Sequence, residues 1–145
     1  MPAKHGAGYS GTPLPRKLGI KPGHLVALVS APAGFAESLG DLPEVELAEA
    51  RLAEGLDTLP AFDVIVFFVT WRAELDAELS RLRSRMAPAC GLWIGWPKRA
   101  ARVPTDVTDQ VVRDVALPTG LVDNKVCAID ETWSGLRLVI RRELR

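Results

Sequence analysis

The stretch Phe62 to Val69, FDVIVFFV, is apolar at every position except Asp63 and is rich in β-branched and aromatic residues. A strand with one wet face alternates apolar and polar residues, whereas a continuous apolar run belongs to a strand covered on both faces. A chain that contains it must supply covering layers on two sides. That requirement predicts a mostly parallel sheet between helices, with this strand at its centre. Leu25 to Val29 (LVALV) and Leu92 to Trp96 (LWIGW) carry the same signature, and Pro97, which cannot donate to a ladder, closes the second of them. Val45 to Ala48 is a weaker strand.

Helical spacing occupies the connections. Leu75, Leu79, Leu82 and Met86 recur on one helical face behind the central strand, with Thr70 as cap and Met86 as core. Pro88 to Gly91 reads as a turn. Val107, Val111, Val112 and Val115 predict a helix from about Asp106 to Leu117, capped by Thr105 or Asp106. Upstream, Met1 to Gly11 reads as a loose tail whose disorder ends near Tyr9. Leu14 to Ile20 suits a short helix with Pro15 in its first turn, and Lys21 to Gly23 a turn.

After Leu117 the chain changes character. Leu121 to Asp130 and Leu136 to Arg141 are strand-like and are joined only by Glu131 to Gly135, too short for a parallel crossover. They form an antiparallel hairpin, with Leu136, Leu138 and Ile140 on its buried face. The expected organisation is a tail and short helix over residues 1–20, then a single Rossmann-like α/β domain over residues 21–145. The domain has helices on both faces of the sheet and ends in the hairpin. A length of 145 residues suits one core.

Strands alternating with helices and closing on an antiparallel hairpin resemble the class I methyltransferase variant of the Rossmann architecture over roughly Leu25 to Arg141. In that variant the last strand inserts antiparallel beside its predecessors. More narrowly, YSGTPLPRKLGIKPG (Tyr9 to Gly23), GLWIGWPK (Gly91 to Lys98) and CAIDETWSGLRLV (Cys127 to Val139) are similar to an uncharacterised bacterial family, domain of unknown function 3052. That resemblance implies the fold and one domain, and it transfers no catalytic residue.

Composition narrows the chemistry. Eighteen basic residues balance 18 acidic ones, so no net field draws the chain to nucleic acid or to an anionic membrane. No stretch approaches the roughly 20 apolar residues of a membrane span, and the N-terminus lacks an apolar leader core. Cys90 and Cys127 form no CxxC pair or disulfide framework and suit a reducing compartment, which makes cytoplasmic the expected location. His5 and His24 have no Cys or Asp at ligand spacing, and no GxSxG elbow is present, so neither a metal site nor a serine nucleophile is expected. Ser134 is expected in a turn.

A methyltransferase or dinucleotide enzyme needs a glycine-rich turn after the first strand, where backbone amides approach the cofactor. Here that turn is Ser30-Ala31-Pro32-Ala33-Gly34-Phe35; only Gly34 matches, and Pro32 removes a donor. Glu49 stands where methyltransferases of this class place an acidic residue for ribose hydroxyls. In place of the Asn or Asp, Pro-Pro and aromatic that many amino-methylating members carry after the central strand, this chain has Thr70, Trp71 and Arg72.

Open parallel sheets bind ligands beyond the carboxyl ends of their strands, near the point where the winding reverses. That edge collects the candidate ligand-binding residues Ser30, Gly34, Thr70, Arg72, Trp96, Lys98, Asp106 and Trp133, and no catalytic residue. Lys98, with Arg99 and Arg102, suits an anion; Trp71, Trp96 and Trp133 suit stacking, or equally serve as hydrophobic plugs. Lys98 follows a rigid strand end and is the charged side chain of greatest expected consequence, facing a ligand or pairing with Asp106 or Asp130. Asp106 is first a helix cap. The resemblance to methyltransferase-like domains implies that the N-terminal segment packs near the same edge.

The expected function is a noncatalytic or catalytically degenerate protein that takes no cofactor and binds a small anionic or aromatic ligand, or a protein partner, at this edge. Two alternatives stand beside it. One is a divergent S-adenosylmethionine-dependent methyltransferase that holds its cofactor without the glycine turn. The other is an assembly role as a homodimer through an exposed sheet edge.

Overall fold

The computed structural model describes residues 12–145. Six strands form one sheet in the order β2-β1-β3-β4-β6-β5. They are β1 (Leu25–Val29), β2 (Glu46–Ala50), β3 (Phe62–Phe68), β4 (Met86–Pro97), β5 (Leu121–Ala128) and β6 (Trp133–Ile140). The pairs β1–β2, β1–β3 and β3–β4 are parallel, while β6 runs antiparallel to both β4 and β5. This is the Rossmann-like, class I methyltransferase-like arrangement expected from the apolar runs, with the FDVIVFFV strand in the interior of the sheet.

Side-chain alternation along the buried strands divides the core in two. Ala27, Val29, Ile65, Phe67, Leu92 and Ile94 face one layer, and Val26, Leu28, Val64, Val66, Phe68 and Trp93 the other. The first layer is built by α3 (Arg72–Arg83), α4 (Asp109–Ala116) and a 3-10 turn at Ala53–Leu56. Helix α3 is composed mostly of strong helix formers, puts Leu75, Leu79 and Leu82 on the sheet, and carries Glu74 in its first turn and Arg81 and Arg83 in its last. The second layer is built by α1 (Leu14–Leu18) and α2 (Phe35–Ser38), which bury Leu18 and Phe35. Because β1 leads to β2 over one face and the later connections cross the other, the winding reverses between β1 and β3.

Helix α1 is tied into the core. Leu18 and Ile20 lie with Val26, Leu28 and Trp93. The Trp93 indole, fully buried, donates from Nε1 to the Leu18 carbonyl at 3.0 Å, and Lys17 Nζ donates to the Ala128 carbonyl at 2.9 Å. A buried indole N–H without a partner would cost about 1–3 kcal/mol, so the helix satisfies the sheet's largest buried side chain. Tyr9 lies outside the described residues.

Several local expectations are corrected. Helix α3 begins after Trp71, and Thr70 caps nothing with its side chain; Glu74 instead accepts from the Thr70 and Trp71 amides at 2.7 and 2.9 Å. Met86 is buried but opens β4 rather than ending α3, because the helix closes at Arg83. Pro88 to Gly91 is no turn but part of β4, at an irregularity where Phe62 pairs with Met86 and Val64 with Gly91. Helix α4 starts at Asp109, with Thr108 Oγ1 accepting from Val111 N at 3.2 Å. The hairpin link is shorter than its sequence suggests: Trp133, Ser134 and Gly135 lie in β6, opposite Pro97, Trp96 and Gly95.

Candidate functional site

The carboxyl ends of β1, β2, β3 and β4 share one edge with the β5–β6 link, and the residues singled out from the sequence lie along it. The chain after β1 bends at once. Ser30 adopts φ +56°, donates its amide to Ala50 O at 2.9 Å and its hydroxyl to Arg51 O at 2.6 Å, and so staples the ends of β1 and β2. Gly34 adopts φ +85° immediately before α2, a conformation that costs a side-chain-bearing residue about 1–2 kcal/mol. Between them, Pro32 accepts from Phe35 N at 3.1 Å, and the amides of Ala31, Ala33 and Gly34 make no hydrogen bond among the described residues. A cavity of about 300 Å³ opens here, lined by Leu28, Ser30, Ala31, Glu49, Ala50 and Arg51. Glu49, opposite Leu28 in the ladder, presents an exposed carboxylate at it.

Beyond β3 the backbone is held by groups distant in sequence. Asp106 Oδ1 accepts from the Arg72 amide at 2.7 Å, so the predicted cap residue caps α3 rather than the helix that follows it. Thr105 donates its hydroxyl to the Thr70 carbonyl and accepts from Val107 N at 3.1 Å. The Arg72 guanidinium pairs with Asp76 at 3.5 Å, both exposed, a contact of marginal energy. Thr70, Arg72 and Asp106 are thus brought together, and the segment after β4 is fastened to the start of α3.

The segment after β4 is also fastened to the hairpin. Lys98 N donates to Thr132 O at 2.8 Å, and Asp130 Oδ1 accepts from Thr132 N and Trp133 N at 2.9 and 2.8 Å. A second cavity, of about 560 Å³, lies beside this segment and is lined in part by Trp96, Arg99, Arg102, Thr105, Thr108 and Asp109. A third, of about 420 Å³, lies at the other end of the sheet, among the residues that precede β1 and β2.

The tryptophans do not form one stacking surface. Trp133 is opposite Pro97, so Trp96 and Trp133 emerge on opposite faces. Trp96 is buried with the α3–α4 layer, whereas Trp133 packs edge-on against Phe68 at 5.0 Å, and Phe68 against Phe35 at 4.7 Å. Only Trp71 among them shows a large exposed surface, 46%. Arg51, Thr105 and Thr108 were not singled out as site residues; Arg51 and Thr105 act through contacts across the sheet edge that no local motif encodes, whereas Thr108 is the local cap of α4. Among the described residues no three His, Cys, Asp or Glu side chains cluster as metal ligands, and no helix is long and apolar enough to cross a membrane.

No protein-family model matches the sequence, and no curated protein matches it either. Solved structures do match in fold. A SAM (S-adenosylmethionine) dependent methyltransferase from Aquifex aeolicus aligns over 86% of this chain and 87% of its own, with 15% identity and a TM-score of 0.57. A TehB-like SAM-dependent methyltransferase from Corynebacterium glutamicum aligns over 93% and 91%, with 12% identity and a TM-score of 0.55. The magnesium protoporphyrin IX methyltransferase from Synechocystis PCC 6803, with bound SAH, aligns over 82% and 75%, with 13% identity and a TM-score of 0.54. At these identities the likeness is one of fold, and the fold is that of class I methyltransferases. The expectation of a scaffold without cofactor is corrected on this finding, because neighbours on the same scaffold are SAM dependent and one of them holds SAH.

Proposed function

We propose that the chain is a divergent SAM-dependent methyltransferase, with the cofactor seated at the carboxyl ends of β1 and β2. The observation that carries the reading is the 300 Å³ cavity, which the exposed Glu49 borders together with Ser30 and Ala31, where the loop that runs on through Ala33 and Gly34 begins and leaves its amides unengaged. It lies at the end of β1, one of the two strands between which the winding reverses, on a fold shared with SAM-dependent methyltransferases. The residues fit such a group: a carboxylate accepts from vicinal hydroxyls, and unengaged amides meet a ligand's polar atoms. Pro32 removes one donor from the loop, and three amides remain. When bound, SAM supplies an electrophilic methyl group.

The chain's own part is positional. Glu74, Asp106 and Asp130 each already accept from backbone amides, which fixes the segments after β3 and β4 and the β5–β6 link around the edge rather than offering a free base.

Titration calorimetry with SAM and SAH tests the proposal. The wild type is expected to bind SAH at micromolar concentration, and Glu49→Gln to bind it about tenfold more weakly, the loss of roughly 1.4 kcal/mol that a charge-assisted hydrogen bond represents. Absence of binding to either compound at millimolar concentration would overturn it.

A further inference from the structure

The cavity beside the segment that follows β4 has a chemical character of its own. Its lining joins Trp96, Pro97 and Val107, all buried, to Arg99 and Arg102, which are exposed. Neither arginine side chain has an ion-pair or hydrogen-bond partner among the described residues. This sets them apart from Arg72, Arg81, Arg113 and Arg141, each of which pairs with a carboxylate. The acidic residue in the lining, Asp109, is already engaged by Arg113 at 3.0 Å. Arg102 moreover occupies the left-handed region, φ +57°, where a residue with a β-carbon is disfavoured by about 1–2 kcal/mol. Glycine would remove that cost.

At about 560 Å³ the cavity is of small-molecule size. Its walls are fixed by groups distant in sequence: Thr105 is bonded to Thr70, and Lys98 N to Thr132. It lies on the same edge of the sheet as the cavity at β1 and β2, with the end of β3 between them.

We propose that this second cavity binds a small organic anion, with Arg99 and Arg102 taking a carboxylate or phosphate and the apolar wall of Pro97, Val107 and Trp96 taking the body of the molecule. Calling that anion the methyl acceptor rests on the proposed methyltransferase reading; the binding does not. Guanidinium groups hold both acid types in two-point geometry, and a partly apolar wall strengthens the attraction by excluding water.

The test compares benzoate, phenyl phosphate and the neutral benzamide by NMR titration of the wild type and of an Arg99→Gln/Arg102→Gly variant, with SAH titrated into both. The glycine suits the backbone at 102, and residue 99 is exposed, so the variant is expected to melt no lower than the wild type. Arg99→Gln alone provides a second, milder variant. Benzoate or phenyl phosphate is expected to bind at least about tenfold more tightly than benzamide, an advantage of about 1.4 kcal/mol, and to lose that advantage in the double variant while SAH affinity stays unchanged. The ratio of the two acids tells carboxylate from phosphate preference. Equal binding of acids and amide, or acid binding that survives the double substitution, overturns the anion site whatever SAH does. Acid binding that meets the expectation with no SAH binding leaves the site standing and overturns only its description as a methyl-acceptor site.

Discussion

Gly135→Ala probes the packing that joins the hairpin to the parallel sheet. A β-carbon at this position would lie 2.7 and 2.9 Å from Ile129 Cγ1 and Cδ1 and 3.1 Å from Trp93 Cε3, well inside the about 3.5–4.0 Å at which carbon pairs attract. Neither neighbour can easily give way. Ile129 and Trp93 are fully buried, and the indole is held by its bond to Leu18 O at 3.0 Å. Overpacking of this kind costs about 1–3 kcal/mol. Replacing glycine within a strand returns about 0.5–1 kcal/mol of backbone entropy.

A net loss of about 1–2 kcal/mol is expected, or a melting point lower by about 3–6 °C for a domain of this size. Urea unfolding followed by tryptophan fluorescence measures it, with the slope unchanged if only packing is affected. Gly95→Ala, whose β-carbon would stand 3.1 Å from Ile129 Cδ1 and 3.2 Å from Phe68 Cδ2, should lose less. Combining Gly135→Ala with Ile129→Ala should be less damaging than the sum of the two by about 1 kcal/mol, because the second substitution removes the obstructing atoms. A Gly135→Ala protein within about 0.5 kcal/mol of wild type, or strict additivity in the double variant, would refute the packing argument.

Asp106→Ala removes the acceptor for the Arg72 amide at 2.7 Å; since the carboxylate is exposed, the expected loss is about 1 kcal/mol, read from the urea midpoint, and an unchanged midpoint refutes the tie. Burial first, and Asp63 second, push the Cys90 thiol up to about 12 from its ordinary 9.0. The folded state therefore favours the protonated thiol, and this contribution to stability is complete below pH 9.0 and lost as pH rises towards 12. Wild type should lose stability more steeply than Cys90→Ala over that interval, and parallel curves would count against it. Burial also raises the half-buried Cys127 thiol, with Lys125 and Lys17 opposing; a thiol reagent on the native protein should label Cys127 before Cys90, and simultaneous labelling would show that the Cys90 side opens.

By itself the sequence determined the layers. The uninterrupted apolar runs at Leu25–Val29, Phe62–Phe68 and Leu92–Trp96 required cover on both faces, and the short link after Asp130 required an antiparallel hairpin. These are local facts of periodicity and chain length, which is why they were legible. Tertiary structure decided the rest. That Asp106 caps α3 rather than the helix next to it depends on where the segment after β4 lands, and nothing in either segment's own residues states this. The register of β6 places Trp133 opposite Pro97, which sends Trp96 and Trp133 to opposite faces although both were placed at one edge. The freedom of Arg99 and Arg102, against the pairing of Arg72 and Arg113, is likewise a matter of which carboxylates the fold carries within reach. Alternation and chain length act between neighbours in sequence, whereas hydrogen bonds and ion pairs act between neighbours in space; the sheet is written in the first and its binding edge in the second.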